Sequence, residues 1–319
     1  MKEGSHRASG ESFAIKIVTK SKLSKEDETA LKDEIDVLSD LKYKHIIRLY
    51  DVFEESQFYY LVTEKMSGGE LFDRIVQKSY YNEHEARDVC QILFKAMKYC
   101  HDRKVAHRDL KPENLLLTVS QLDIAFYFLR KKNDLTLRHN QSESDDSDIK
   151  IADFGFAKRV TSPNSLTTQC GTPGYVAPEI LEGKPYDTQA DMWSLGVIVY
   201  ILLGGYPPFI EQNQRELFRK IRKGQYQFHE EYWGQVSDDA KKLISSLLTV
   251  DPSSRYDAKA AMANPWMGAD EALLVEQDLG VNLEEFKRFN AKRKFKAAVR
   301  TVVATNKFKS LGHDFKKHL

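Results

Sequence analysis

The sequence predicts an α+β fold, with strands first and helices after them. Three observations point there. Short runs rich in β-branched and aromatic residues, SFAIKIV at 12–18, IIRLYDVFEES at 46–56 and FYYLVTE at 58–64, read as strands. Apolar residues at Leu31, Ile35 and Leu38 recur at helical spacing within 26–39, and 83–102 reads as a longer helix. The chain has 319 residues, 41% hydrophobic and 30% charged. That is enough for one two-lobed or two ordinary domains around a substantial core.

Composition narrows the function classes. A net charge of +1 gives no overall case for a nucleic-acid partner. No apolar run approaches the roughly 18 residues that a membrane helix needs, and the first residues, MKEGSHRASG, lack the apolar core of a signal peptide. Cys90, Cys100 and Cys170 are odd in number and fit no metal-site spacing. A reducing compartment is expected, cytoplasmic with the nucleus as an alternative.

The chemistry sits in His107-Arg108-Asp109-Leu110-Lys111-Pro112-Glu113-Asn114 and, later, in Asp153-Phe154-Gly155. Moving a phosphoryl group to an alcohol requires the hydroxyl to be placed in line and the phosphate charge to be neutralised. Asp109 can accept the hydroxyl proton and Lys111 can hold the transferred group. Asn114 and Asp153 offer hard oxygen ligands suited to Mg²⁺ bound through phosphate oxygens. A three-residue motif alone would pass for a loop or a cap. The eight-residue run together with Asp-Phe-Gly is far more specific.

Together these motifs resemble the catalytic and metal-binding loops of eukaryotic protein kinases. Ala177-Pro178-Glu179 resembles the end of the activation segment, and Asp191-Met192-Trp193-Ser194-Leu195-Gly196 the helix beneath the catalytic loop. The C-terminal continuation resembles the calcium/calmodulin-dependent branch, type I-like. The resemblance implies a bilobal fold, a small β-rich upper lobe and a larger helical lower lobe, with the first strands and Gly-rich loop missing. It implies a partial upper lobe at 1–66, a lower lobe at 67–266 and a regulatory segment at 267–319. It also implies ATP and Mg²⁺ as cofactors.

Residue by residue, Lys16 matches the strand lysine that holds the α- and β-phosphates, a role that requires Glu34 as its partner on the next helix. By itself Lys16 would be read as a solvated side chain. The joint at 65–70 matches the adenine-binding hinge, with the Glu64 carbonyl and Met66 amide as its main-chain contacts and Thr63 as the gate behind. Glu70 and Glu113 match two acids that receive an arginine three residues before the phosphorylated Ser or Thr. Lys111 is the Ser/Thr-type residue at its position. Thr168 aligns with a site for an upstream activating kinase, and Arg108 is placed to pair with that phosphate. Thr172 resembles a residue that hydrogen-bonds the catalytic aspartate. Glu179 and Arg255 resemble a buried ion pair, while Tyr206–Phe209 and Pro265-Trp266 read as lower-lobe packing.

From Lys287 to Lys309 there are nine basic residues and no acidic ones. Phe295, Val299 and Val302 share one helical stripe, with Phe308 near its far end. Such a basic amphipathic helix suits calcium-loaded calmodulin. A solvated helix and a membrane-surface helix are the alternatives. Residues 270–300 are expected to pack on the lower lobe and obstruct the substrate site until calmodulin removes them. Asn282 stands where type II enzymes phosphorylate themselves, and the chain stops at Leu319, so a type I-like monomer is expected.

Two features depart from the family. Only Gly4 and Gly10 precede Lys16, and no G-x-G-x-x-G is present. Weak nucleotide binding, an exposed sheet edge and, as an alternative function, a catalytically weak or inactive calmodulin-binding module follow from that. The second departure is an insert. Asn114 and Asp153 are 39 positions apart, and removing the 23 residues Val119–Gln141 restores the usual spacing. The insert reads as retained intron sequence forming a poorly ordered loop, with a docking element as the alternative.

Overall fold

The computed structural model describes residues 1–118 and 149–315, with side chains through 299. The expected insert at 119–141 lies outside the described residues.

The upper lobe is a four-stranded antiparallel sheet. Its strands are β1 (Lys2–Ser5), β2 (Ser12–Thr19), β3 (Leu49–Glu54) and β4 (Phe58–Glu64), in the order β1-β2-β4-β3. Strand β1 was not expected from the sequence. It pairs with β2 from Lys2↔Ile15 to Ser5↔Ser12, and the turn between them closes through His6 N to Glu11 O at 2.8 Å. Strand β1 forms one edge of the sheet. The strand expected at 46–56 is shorter, because Ile46 and Ile47 leave the sheet and are buried. Ile46 bridges Ile151, and the Ile47 amide donates to the Ile151 carbonyl at 2.9 Å. These contacts tie the two lobes together.

Helix α1 (Lys25–Asp40) packs on the sheet. Ser24 and Asp27 form a capping box at its start, and Leu31, Glu34, Val37 and Leu38 face inward. Helix α2 (Leu71–Val76) follows the hinge, and α3 (Glu83–Asp102) begins with a second capping box, Asn82 with Glu85. Strands β5 (Val105–Ala106), β6 (Leu115–Leu117), β7 (Ile149–Ile151) and β8 (Lys158–Arg159) form two small sheets that fix both catalytic motifs. Leu115 pairs with Ile151 and Leu117 with Ile149, so the Asn114 and Asp153 loops leave neighbouring strands.

Helix α4 (Gln189–Gly204) is apolar all round and buried along its length, as a helix at the centre of a domain must be. It ends at Gly205, whose φ of 81° is the left-handed cap that glycine adopts without strain. Trp193 stacks on Phe209, and Trp266 is buried, in line with the packing role read from the sequence. Arg255 holds both oxygens of Glu179 at 2.7 and 2.9 Å and donates to the carbonyls of Thr249, Gln189 and Val250. The charges of this buried pair are thus fully satisfied.

The last helix, α5 (Gly280–Phe315), starts against the lower lobe. Asn282 donates to the carbonyls of Leu203 and Tyr232 at 2.6 and 2.7 Å. Phe286 is buried with its ring centroid 4.8 Å from that of Phe72.

Candidate active site

Asp191, in the first turn of α4, organises the catalytic loop. Its carboxylate accepts from the main-chain amides of His107 and Arg108 at 2.9 and 2.8 Å and contacts His101 Nε2 at 2.9 Å. Burial resists its ionisation, but the His101 contact and these amides hold the carboxyl below its usual range. Arg108 sits at φ 69°, unusual for a non-glycine residue; the bonds to Asp191 hold the backbone there.

That loop presents Asp109, which is buried. Thr172 Oγ1 donates to Asp109 Oδ1 at 2.6 Å. Lys111 Nζ donates to the other carboxylate oxygen and, at 3.2 Å, to Thr172. Asn114 Nδ2 donates to the Asp109 carbonyl at 2.9 Å, and the Ala152 amide donates to the Asn114 carbonyl at 2.8 Å. Asp153 follows directly at φ 59°, with its side chain exposed and without a hydrogen-bond or ion-pair partner among the described residues. Phe154 lies buried beneath, edge-on to His107 at 4.7 Å.

From the upper lobe, Lys16 Nζ reaches Glu34 Oε1 and Oε2 at 2.8 and 2.7 Å. The partner that Lys16 required is therefore in place. At the hinge, Thr63 is buried behind the chain, and the Met66 amide has no hydrogen-bond partner among the described residues. The Glu64 carboxylate is occupied by the Arg48 amide at 2.6 Å and Lys150 at 3.0 Å, leaving only its main chain for a ligand.

The fit to a divalent cation rests on Asp153 and Asn114. Both are hard oxygen donors on adjoining loops, and Asp153 has no competing protein cation among the described residues. The same residues contain no group of three or more His, Cys, Asp or Glu able to hold a metal unaided. A pair of protein oxygens completed by phosphate oxygens is the ordinary Mg²⁺ pattern.

Glu70 and Glu113 are brought together by α5. Arg293 lies between them, with Nη2 at 2.6 Å from Glu70 Oε2 and Nη1 at 3.0 Å from Glu113 Oε1. Lys294 reaches Glu70 at 2.6 Å and Asp73 at 2.7 Å, while Asn290 donates to Asp73 at 2.9 Å. Burial opposes the charge on Arg293, but Glu113 and Glu70 more than offset it and raise its pKa. The sequence reading missed Asp73. No local pattern marked it: Glu70 is the extended N-cap of α2, and the side-chain partners of Asp73 among the described residues come from α5.

Thr168 is exposed. Arg108 does not touch its side chain. Arg108 donates instead to the Phe156 carbonyl at 2.5 Å and to Tyr186 Oη at 3.3 Å, and Tyr186 donates to the Thr168 carbonyl at 2.7 Å. Thr168, Arg108, Lys158 and Lys16 line one cleft of about 760 Å³. On α5, Phe295 and Val299 are 71% and 43% exposed. The side chains of Val302 and Phe308 lie outside the described residues.

Comparison with known proteins gives a consistent result. The protein kinase domain family model matches residues 1–267. Calcium/calmodulin-dependent protein kinase type 1 of Caenorhabditis briggsae is 41% identical over 304 residues, covering 95% of this chain and 78% of the relative. The protein of the same name in Caenorhabditis elegans is also 41% identical over 304 residues, with 95% and 79% covered. That of Macrobrachium nipponense is 42% identical over 285 residues, with 89% and 75% covered.

Proposed function

The chain belongs to the protein kinase family and is a protein serine/threonine kinase; from that premise we propose that it phosphorylates residues preceded by an arginine three positions upstream, and that its own C-terminal helix closes the site until calcium-loaded calmodulin removes it. The observation that carries this reading is Arg293 seated between Glu70 and Glu113. A guanidinium held by two carboxylates is what a basic substrate would offer there.

In this reading Asp109, oriented by Thr172, receives the substrate hydroxyl and takes its proton. Lys111 neutralises the phosphoryl group in transit, and Lys16, fixed by Glu34, holds the other phosphates. The Glu64 carbonyl and Met66 amide read the adenine edge of ATP. Asn114 and Asp153 would hold Mg²⁺, which spreads the charge of the transferred group when bound.

Helix α5 blocks by occupation rather than by imitating a bound peptide along its length. A helix rises about 1.5 Å per residue and an extended chain about 3.3 Å, so only one turn can coincide with the substrate path. Its opposite face presents Phe295, an apolar anchor open to calmodulin. Moving the helix from mostly docked to mostly released needs on the order of 5 kcal/mol of differential binding. Thr168 is the proposed site for an upstream kinase, its phosphate drawing on Arg108 and Lys158. Residues 1–15 contain no G-x-G-x-x-G, and the second reading is a kinase-like calmodulin-binding module with little turnover. Radiolabelled phosphate transfer with calcium and calmodulin, set against Asp109→Asn, separates the two. Transfer lost only in the variant supports the first reading; equal signal from both supports the second.

A further inference from the structure

Resting on Asp109 as the base and Thr168 as the phosphorylation site, and deepening how that site is regulated, we infer that the Tyr186 hydroxyl is a positioning group. It orders the activation segment before any phosphate is added, by joining Arg108 of the catalytic loop to the main chain at Thr168.

Tyr186 is buried and stands three residues ahead of α4. Its main chain exchanges two bonds with Leu166. The Leu166 amide donates to the Tyr186 carbonyl at 3.0 Å, and the Tyr186 amide donates to the Leu166 carbonyl at 2.8 Å. The ring reaches two residues further along the segment. Its Oη donates to the Thr168 carbonyl at 2.7 Å and accepts from Arg108 Nη1 at 3.3 Å. A phenol has one proton to give and lone pairs to receive, so one hydroxyl serves both neighbours. Cys170 Sγ lies 3.7 Å from the same oxygen. Gln169 adds a bond of its own, donating to the Ile180 carbonyl at 2.9 Å. Residues 166, 168 and 169 are thus held by groups of the stretch 180–186.

What the hydroxyl holds leads to the reacting residues. Arg108 directly precedes Asp109. Past Thr168 the chain crosses Arg108 so closely that a β-carbon at Gly171 would sit 3.0 Å from the Arg108 carbonyl. The next residue, Thr172, donates to Asp109. Apart from its bond to the Phe156 carbonyl, the Arg108 side chain bonds only to Tyr186 among the described residues. Burial pushes the Tyr186 phenol above its ordinary pKa and outweighs Arg108, so the proton it donates stays in place.

A phosphate on Thr168 would offer Arg108 a charged acceptor in place of a neutral one. Hydroxyl and phosphate are therefore alternative holders of one arginine. The unphosphorylated chain depends on Tyr186 for order at 166–172, and the phosphorylated chain does not.

The test uses the full chain with calcium and calmodulin. Thr168→Ala, which removes the phosphate acceptor and keeps the carbonyl, is compared with Thr168→Ala combined with Tyr186→Phe. Chains carrying phosphothreonine at 168, with and without Tyr186→Phe, form a second pair. Tyr186→Phe should lower kcat about tenfold in the first pair and less than about twofold in the second, with the KM for ATP unchanged. Hydrogen exchange over 160–172 should quicken in the first pair alone, while the rest of the lower lobe keeps its protection. Unchanged kcat or unchanged exchange in the first pair would overturn the inference. So would exchange that quickens across the whole lower lobe, the mark of a merely structural tyrosine. If the losses appear in the first pair and phosphothreonine restores neither, the Thr168 reading falls and the role of Tyr186 stands. If no form transfers phosphate, the catalytic reading falls, and exchange alone decides on Tyr186.

Discussion

Thr172 touches both Asp109 and Lys111, and so it fixes where the proposed base points. Thr172→Ala should lower kcat about 10²-fold while leaving the peptide KM nearly unchanged, because orientation is lost and binding is not; steady-state kinetics with calmodulin present would show the split. His45 gives a residue-scale dependence on pH. It is buried and bonded to the Ile149 carbonyl at 2.8 Å. Burial depresses its pKa below the usual 6.5, with Lys44, Lys150 and Lys95 adding to the effect against the Ile149 bond. The unfolded chain therefore takes up that proton more readily. The resulting stability is present above the ordinary value and is lost as pH falls through the depressed one. Melting temperature should drop between about pH 7.5 and 5.5, and less steeply in His45→Gln. The motif residues were legible because their chemistry is written in consecutive order: Asp109, Lys111 and Asn114 lie within six positions of each other. Asp73 was not, because an acid in a short helix acquires meaning only from Lys294 and Asn290, far away in the chain.

Among the described residues, helix α5 is anchored at its base by Asn282. Asn282→Ala removes two donors from the buried carbonyls of Leu203 and Tyr232. Each lost partner costs about 1–3 kcal/mol. Calmodulin-independent activity should therefore rise about tenfold or more relative to the fully activated rate. The sequence marked this helix by its basic, apolar pattern but read only one face, that of Phe295, Val299 and Val302. The docked face, Phe286, Asn290 and Arg293, has the same helical spacing. It escaped notice because it mixes an aromatic, an amide and a cation, and only packing on α2 makes them one surface. Strand β1 was missed for a related reason. Lys2-Glu3-Gly4-Ser5 has poor intrinsic strand character, and its pairing with β2 is a tertiary effect.

At the scale of the molecule, the lower lobe depends on buried charges that are fully satisfied. Arg255→Ala would strand Glu179 in the interior, since the two make a bidentate pair. Loss of one partner from such a pair costs about 3–5 kcal/mol, and denaturant unfolding should show a midpoint lowered accordingly. The Glu179–Arg255 pairing was readable from motif resemblance, whereas the joining of the lobes through Ile46 and Ile47 was not. Those residues looked like one more strand, and only burial against Ile151 turned them aside. A final consequence concerns Arg293 and Phe295. Two residues along a helix is about 200° of rotation, so the side chain bound to Glu70 and Glu113 and the one offered to solvent lie on opposite sides of a single turn. An approaching protein can grip the outer side while the inner side is still engaged. Under the proposed switch, quiet at rest and a quick response to the signal would therefore not be in conflict, because capture would not have to wait for a spontaneous opening.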